Sequence, residues 1–189
     1  DAGDLIGIAK LYNDMGQKYE EDSNIDGALE CYDKALTYYK CVDGKSQSIN
    51  LYEKLGYLLS QYRFDYNTAV AYFEECAKMK VNIPLLKFTA TDVFTSAILC
   101  TLISDDLVLV NKNIHDYKEI DYTLESSTKF KYVSKLVSAY EDLNMDAFMT
   151  CITDWDSSMK FNNWQTGILL KIRTNLAMKL NVDNEVDVT

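Results

Sequence analysis

Apolar residues recur along this chain at spacings of three and four, and almost every segment between turn signals carries that period. Such spacing puts apolar side chains on one face of a 3.6-residue helix, a face that must be buried against a neighbour. Read with its punctuation, the pattern predicts helices near 4–21, 25–40, 46–62, 66–79, 85–103, 105–118, 126–143, 145–158 and 161–178. Asn24, Asp65, Asp105 and Asp146 stand at N-cap or first-turn positions, where a side-chain oxygen or an acid satisfies the helix start. Asp43-Gly44 and Asn82-Ile83-Pro84 read as breaks. Val81–Ile83 and Leu107–Val110 alone suit a strand, and both are too short to build a sheet.

The helices repeat in kind. Gly16 and Tyr19 are followed by Ala28, Tyr32 and Ala35, the small–aromatic–small spacing of a tetratricopeptide repeat, in which small residues let two antiparallel helices approach. A second round has Gly56, then Ala69, Phe73 and Cys76. A third places Ala97 at the glycine position, and a fourth places Ala139 there, followed by Ala147. The step is about 40 residues against ~34 for standard repeats, which longer helices account for. The expected fold is all-α: an α-solenoid of antiparallel, tetratricopeptide-like hairpins with a C-terminal helical bundle. Residues 1–120 are expected to form the hairpin array and 121–180 the bundle packed on it. Residues 181–189 are the acidic tail of one continuous structural unit. Arrays of this kind are binding platforms far more often than enzymes.

Composition narrows the function. One Pro and seven Gly in 189 residues leave few helix breakers, and tyrosine outnumbers phenylalanine two to one. Tyrosine suits half-buried helix interfaces, where the ring packs and the hydroxyl stays wet. The net charge of −10 argues against general nucleic-acid binding, which needs a basic footprint. It suits either a solvated acidic face or a basic protein partner. The five cysteines, Cys31, Cys41, Cys76, Cys100 and Cys151, form no CxxC pair. Four sit in helical apolar patterns as small hydrophobes, which implies a reducing compartment. No signal sequence or membrane-length apolar run is present. The chain opens on Asp1 without a methionine, so a fragment or a processed chain is expected.

Catalytic chemistry has no foothold. His115, the single histidine, lies near Asp116 and Asp121, but no Gly-rich elbow supplies a nucleophile or a water-excluding cleft. No HxxxH, CxxC or Asp-rich glycine loop offers metal-ligand spacing, and no Walker-type loop cradles a phosphate. The acidic runs Glu20-Glu21-Asp22 and Glu74-Glu75 read as solvated surface. The sequence reads as a non-enzyme with no cofactor.

One segment is more specific. Pro84-Leu85-Leu86-Lys87-Phe88-Thr89-Ala90-Thr91-Asp92-Val93-Phe94, continuing to Ala97-Ile98-Leu99-Cys100, resembles the most distinctive stretch of the soluble NSF attachment proteins of the α type (α-SNAP type). Three further stretches are similar in the same order. Ala28 to Lys40 ends Thr37-Tyr38-Tyr39-Lys40, near the family's Asp-Tyr-Tyr-Lys. Leu136 through Asp146 is similar to its Leu-Leu-Glu-Ala-His-Glu-Glu-Gln-Asn-Val-Asp. Asn163-Trp164 through Leu169-Leu170-Lys171-Ile172 is similar to its Gln-Trp and Leu-Leu-Arg-Ile. The resemblance covers essentially the whole chain, as roughly the C-terminal two-thirds of a family member.

The resemblance implies an adaptor in vesicle fusion and intracellular protein transport, cytoplasmic and peripheral on membranes through SNAREs. Its partners would be the SNARE four-helix bundle (syntaxin-like) on a concave face and the hexameric AAA ATPase NSF at the C-terminal end. Energy comes from NSF, so no active site is needed. Direct membrane contact is expected only through an N-terminal loop that precedes this segment. Carried over by position, Lys10, Leu85, Lys87 and Phe88 fall on the SNARE-binding side, with Lys129 and Lys131 near it. Ile49, Glu53, Thr91 and Thr128 stand where the family has basic residues. Asp105, Glu141 and Asp142 match NSF-binding acids, Ser138 replaces another, and Glu185, Asp187 and Val188 belong to the matching tail. Two other readings fit the repeat alone: a generic tetratricopeptide scaffold binding peptide tails, or a structural subunit of a larger complex. The first would want a clamp of Lys, Arg and Asn, which the thin basic content does not offer.

Overall fold

A computed structural model describes residues 2–186, with side chains described through residue 181. Among the described residues there are nine α-helices and no strand. They are α1 (Ala2–Glu21), α2 (Ile25–Cys41), α3 (Lys45–Leu58), α4 (Tyr66–Val81), α5 (Lys87–Ile103), α6 (Leu107–Ile120), α7 (Thr128–Glu141), α8 (Met145–Ser158) and α9 (Asn163–Val186). This is the all-α succession of helical hairpins expected from the apolar period. The strand candidate at Leu107–Val110 is instead the first turn of α6.

Five of the tight turns use one device. Ser23, Asp43, Phe64, Asp105 and Leu143 all take left-handed backbone with φ between 51° and 61°. Each stands directly before the N-cap residue of the next helix: Asn24, Gly44, Asp65, Asp106 and Asn144. The side chains of Asn24, Asp65, Asp106 and Asn144 accept from the N–H groups of Gly27, Thr68, Leu109 and Ala147. Each thereby satisfies one of the free donors at its helix start. Two expectations change here. Asp106, not Asp105, caps α6, because Asp105 is consumed by the left-handed step that reverses the chain. Asn144 caps α8, and Asp146 is its first-turn acid.

Three helix ends also differ from the predicted bounds. The stretch 46–62 is not one α-helix: α3 stops at Leu58 and a π-helical turn spans Leu59–Arg63. There the Ser60 hydroxyl donates to the Gly56 carbonyl at 2.8 Å, and the Phe64 N–H reaches back to Leu59. A hydroxyl that back-bonds in this way loosens the helical ladder. Before α7, the Asp121 carboxylate accepts from the Thr123 N–H and hydroxyl, and Tyr122–Ser126 wind into a 3-10 turn, so that α7 starts at Thr128 rather than at 126. At the other end α9 runs to Val186, past the expected stop at 178, through residues that contain no Gly or Pro.

Contacts group the chain into two compact units, residues 1–93 and 94–189, dividing inside α5. In the first, α1–α2 and α3–α4 pack as hairpins through glycine–aromatic contacts. A Cβ on Gly16 would lie 2.6 Å from the Tyr32 ring, and one on Gly56 would lie 2.6 Å from Phe73. Tyr32 and Phe73 are buried. A three-helix network lies over the first contact. Tyr32 Oη donates to Glu20 Oε2 at 2.7 Å, and Lys54 Nζ donates to the same oxygen at 2.9 Å and to Tyr32 Oη at 3.0 Å. In the second unit Val110, Phe130, Leu136, Phe148, Trp155, Ile172 and Leu176 are buried. Phe94 packs on Tyr117 with ring centroids 4.6 Å apart, and Tyr132 stacks on Trp155 at 5.9 Å. Ala97 and Ala139, the expected counterparts of the two glycines, are buried too. So are four cysteines, Cys31, Cys76, Cys100 and Cys151; Cys41 is exposed.

Candidate protein-docking surfaces

His115 sits exposed on α6, and no group of His, Cys, Asp and Glu among the described residues could hold a metal ion. No helix of the described residues is long and apolar enough to cross a membrane.

The most unusual surface in the first unit is the turn that enters α5. The Ile83 carbonyl accepts from the N–H groups of Leu86 and Lys87, and Leu86 in turn accepts from Thr89. Pro84 cannot continue the preceding helix and donates nothing. This tight winding leaves Leu85 90% and Phe88 88% exposed on either side of Lys87. Two large apolar side chains so nearly bare within four residues are costly in water and mark a contact site more than a core position. Lys10 lies exposed on α1.

Two of the four positions where cations were expected and are missing, Ile49 and Glu53, have local explanations. Ile49 is buried in the core. Glu53 receives a 2.5 Å hydrogen bond from Lys80, whose ammonium is almost wholly buried. These side chains serve the packing of α3 on α4. In the second unit Thr128 is the exposed first residue of α7, followed by Lys129 and Lys131 on the same turn and a half.

The acids matched by position to the ATPase-facing side all belong to the second unit. Glu141 ends α7 and Asp142 follows it; both are exposed, and the last turn of α7 contains no basic residue. Acids at a helix C-terminus face the negative end of the macrodipole, which disfavours them by ~0.3–1 kcal/mol each. Two such acids on one turn are better suited to meeting an external cation than to stabilising their own helix. Asn111 Nδ2 donates to Glu141 at 3.4 Å. Asp105 is joined to this edge through Tyr140, whose hydroxyl donates to Asp105 Oδ1 at 3.0 Å. Burial, then the hydrogen bond to Asp105 and the charge on its carboxylate, hold the Tyr140 phenol well above the ordinary tyrosine range. Lys179 of α9 donates to the same Asp105 oxygen and lies over the Tyr140 ring. Tyr140 and Lys179 were not singled out in the sequence, because neither belongs to a charge run. Glu185 lies on α9 beyond the described side chains, and Asp187 and Val188 lie outside the described residues.

The family described as "Soluble NSF attachment protein, SNAP" matches residues 1–177. This chain belongs to the SNAP family. Beta-soluble NSF attachment protein of Bos taurus is 28% identical over 177 residues, covering 93% of this chain and 59% of that protein. Alpha-soluble NSF attachment protein of Homo sapiens is 28% identical over 180 residues, with the same coverage of 93% and 59%. The probable vesicular-fusion protein sec17 homolog of Neurospora crassa is 24% identical over 185 residues, covering 97% and 62%. The chain thus spans about three-fifths of the length of these SNAP relatives.

Proposed function

We propose that this SNAP-family chain is an adaptor that binds assembled SNARE four-helix bundles and recruits an NSF-type AAA ATPase to take them apart. The observation that carries the reading is the family match over residues 1–177, since its relatives are named for attaching NSF and for vesicular fusion. The geometry supports a division of labour. On the SNARE side, Lys10, Lys87, Lys129 and Lys131 would meet the acidic exterior of the bundle, while Leu85 and Phe88 supply apolar contact. On the ATPase side, Glu141 and Asp142, with Glu185, Asp187 and Val188 of the tail, would meet basic residues. Action is on the cytoplasmic side of membranes, reached through the SNAREs. Catalysis belongs to the ATPase.

Each exposed charge pair contributes about 0–1 kcal/mol, so affinity would be the sum of several weak contacts. The absence of basic side chains at Ile49 and Glu53 leaves more of the SNARE contact to Leu85 and Phe88. Direct binding tests this reading. The chain is expected to be retained by immobilised, assembled SNARE bundle and not by the individual SNARE segments. Equal retention by both would point to the rival scaffold that binds unfolded peptide tails.

A further inference from the structure

Among the acids of the proposed ATPase-facing edge, Asp105 differs in its surroundings. Its Oδ1 already accepts from Tyr140 Oη at 3.0 Å and from Lys179 Nζ, and the Lys179 ammonium lies 5.2 Å from the centroid of the Tyr140 ring. The three groups close a triangle: carboxylate to ammonium, ammonium to ring face, hydroxyl to carboxylate. Tyr140 is fully buried, so the triangle rests on a fixed post. One helical turn earlier on the same face of α9, Asn175 Nδ2 donates to the Ile103 carbonyl at 3.1 Å. That carbonyl belongs to the last turn of α5, where helices leave acceptors free. Thus α9 is anchored at two consecutive turns to the α5–α6 connection, and the second anchor is a charge pair seated at a left-handed residue, φ 61°.

We infer that Asp105 is a positioning residue and not a contact for the ATPase. Together with Tyr140 and Lys179 it clamps α9 beside the end of α7, next to Glu141. The Oδ1 of this carboxylate is committed to Tyr140 and Lys179, so a partner's cation would have to compete with an ammonium already in place. By contrast, the last turn of α7 brings no basic residue to Glu141 and Asp142. The acids of the tail follow Lys179 in the chain, so the clamp sets where they begin. The clamp itself stands on geometry alone; its effect on recruitment rests on the adaptor reading above.

A charge swap separates positioning from contact. The variants are Asp105→Lys, Lys179→Asp and the double swap, with Glu141→Lys/Asp142→Lys in parallel. Two readouts are used: hydrogen exchange of residues 172–181 in the free chain, and capture of an NSF-type ATPase on SNARE-bound chain. Each single reversal is expected to speed exchange in this part of α9 roughly tenfold and to reduce capture. The double swap should restore both to within about twofold, because Lys and Asp exchange places across the same gap. Asp105→Asn, which removes the charge and leaves an acceptor for Tyr140, should act in the same direction by a smaller factor and guards against misfolding of the reversals. Unchanged exchange in the single variants would overturn the clamp. Restored exchange without restored capture would make Asp105 a direct contact after all. If Glu141→Lys/Asp142→Lys captures as the parent does, it is the adaptor reading that fails, and the exchange readout still decides the clamp.

Discussion

Gly16 faces the Tyr32 ring so closely that an added methyl would lie 2.6 Å from it. The contact is where α1 meets α2, and the ring cannot yield easily, since Tyr32 is 1% exposed and its hydroxyl is held by Glu20 and Lys54. Gly7, on the same helix, has nothing within 4 Å of its Cβ position. The same substitution should therefore have opposite signs at the two sites. Gly7→Ala is expected to stabilise by about 0.5–1 kcal/mol through helix propensity. Gly16→Ala is expected to destabilise by ~1–3 kcal/mol through overpacking. Urea midpoints of the two variants decide it; equal shifts would mean that the approach of α1 to α2 is not fixed by Gly16.

The Glu20–Tyr32–Lys54 network makes a pH-dependent contribution. Burial alone would raise the Glu20 pKa, but the hydrogen bonds from Lys54 and Tyr32 and the Lys54 charge outweigh it, and the net direction is down. A carboxylate with a depressed folded pKa binds fewer protons folded than unfolded near its ordinary value. Its stabilisation is therefore present above about pH 4.5 and is lost as pH falls below that. Glu20→Gln should flatten the acid limb of stability against pH. Tyr32→Phe should cost ~1–2 kcal/mol at pH 7, with strong coupling to Lys54→Met in a double-mutant cycle. Additive losses would show that the three groups do not act as one network.

Lys80 is a buried ammonium whose partner is Glu53 at 2.5 Å. Removing the acid alone leaves a desolvated charge, so Glu53→Ala is expected to cost about 3–5 kcal/mol. The double variant Glu53→Leu/Lys80→Met should be less destabilised than the single one, because no charge remains to be buried. Thermal or chemical unfolding reads this directly, and a double variant worse than Glu53→Ala would refute the assignment.

Reversal of charge should split the two proposed surfaces. Glu141→Lys with Asp142→Lys should abolish ATPase capture while leaving SNARE binding and the helical signal intact. Lys10→Glu with Lys87→Glu should weaken SNARE binding by about tenfold, as loss of ~1.4 kcal/mol would. If both activities fell together with helicity, the acids would be structural.

What could be read beforehand follows the range of the interaction. The Gly16–Tyr32 and Gly56–Phe73 contacts join neighbouring helices, so their spacing was visible in the chain, as were the Asn24 and Asp65 caps. Asp105 and Asp106 are two identical side chains in a row, and only the left-handed backbone at the first decides which one caps α6. The π-helical turn at Leu59–Arg63 depends on where one hydroxyl bonds, which no apolar period records. Pairs such as Glu53–Lys80 and Asp105–Lys179 join charges distant in sequence that look solvent-facing one at a time. Among the candidate site residues, the bare Leu85 and Phe88 were marked by their motif, not by periodicity, because an amphipathic pattern does not distinguish an exposed apolar residue from a core one.

The most direct test of the adaptor account is a three-component capture at low salt, where electrostatics is least screened. Assembled SNARE bundle is fixed to beads, and an NSF-type ATPase with a non-hydrolysable nucleotide is added with and without this chain. The account predicts that the ATPase is retained only when both the bundle and the chain are present, and that retention falls as salt is raised. No enrichment of the ATPase when the chain is added, or equal retention without it, would contradict the account.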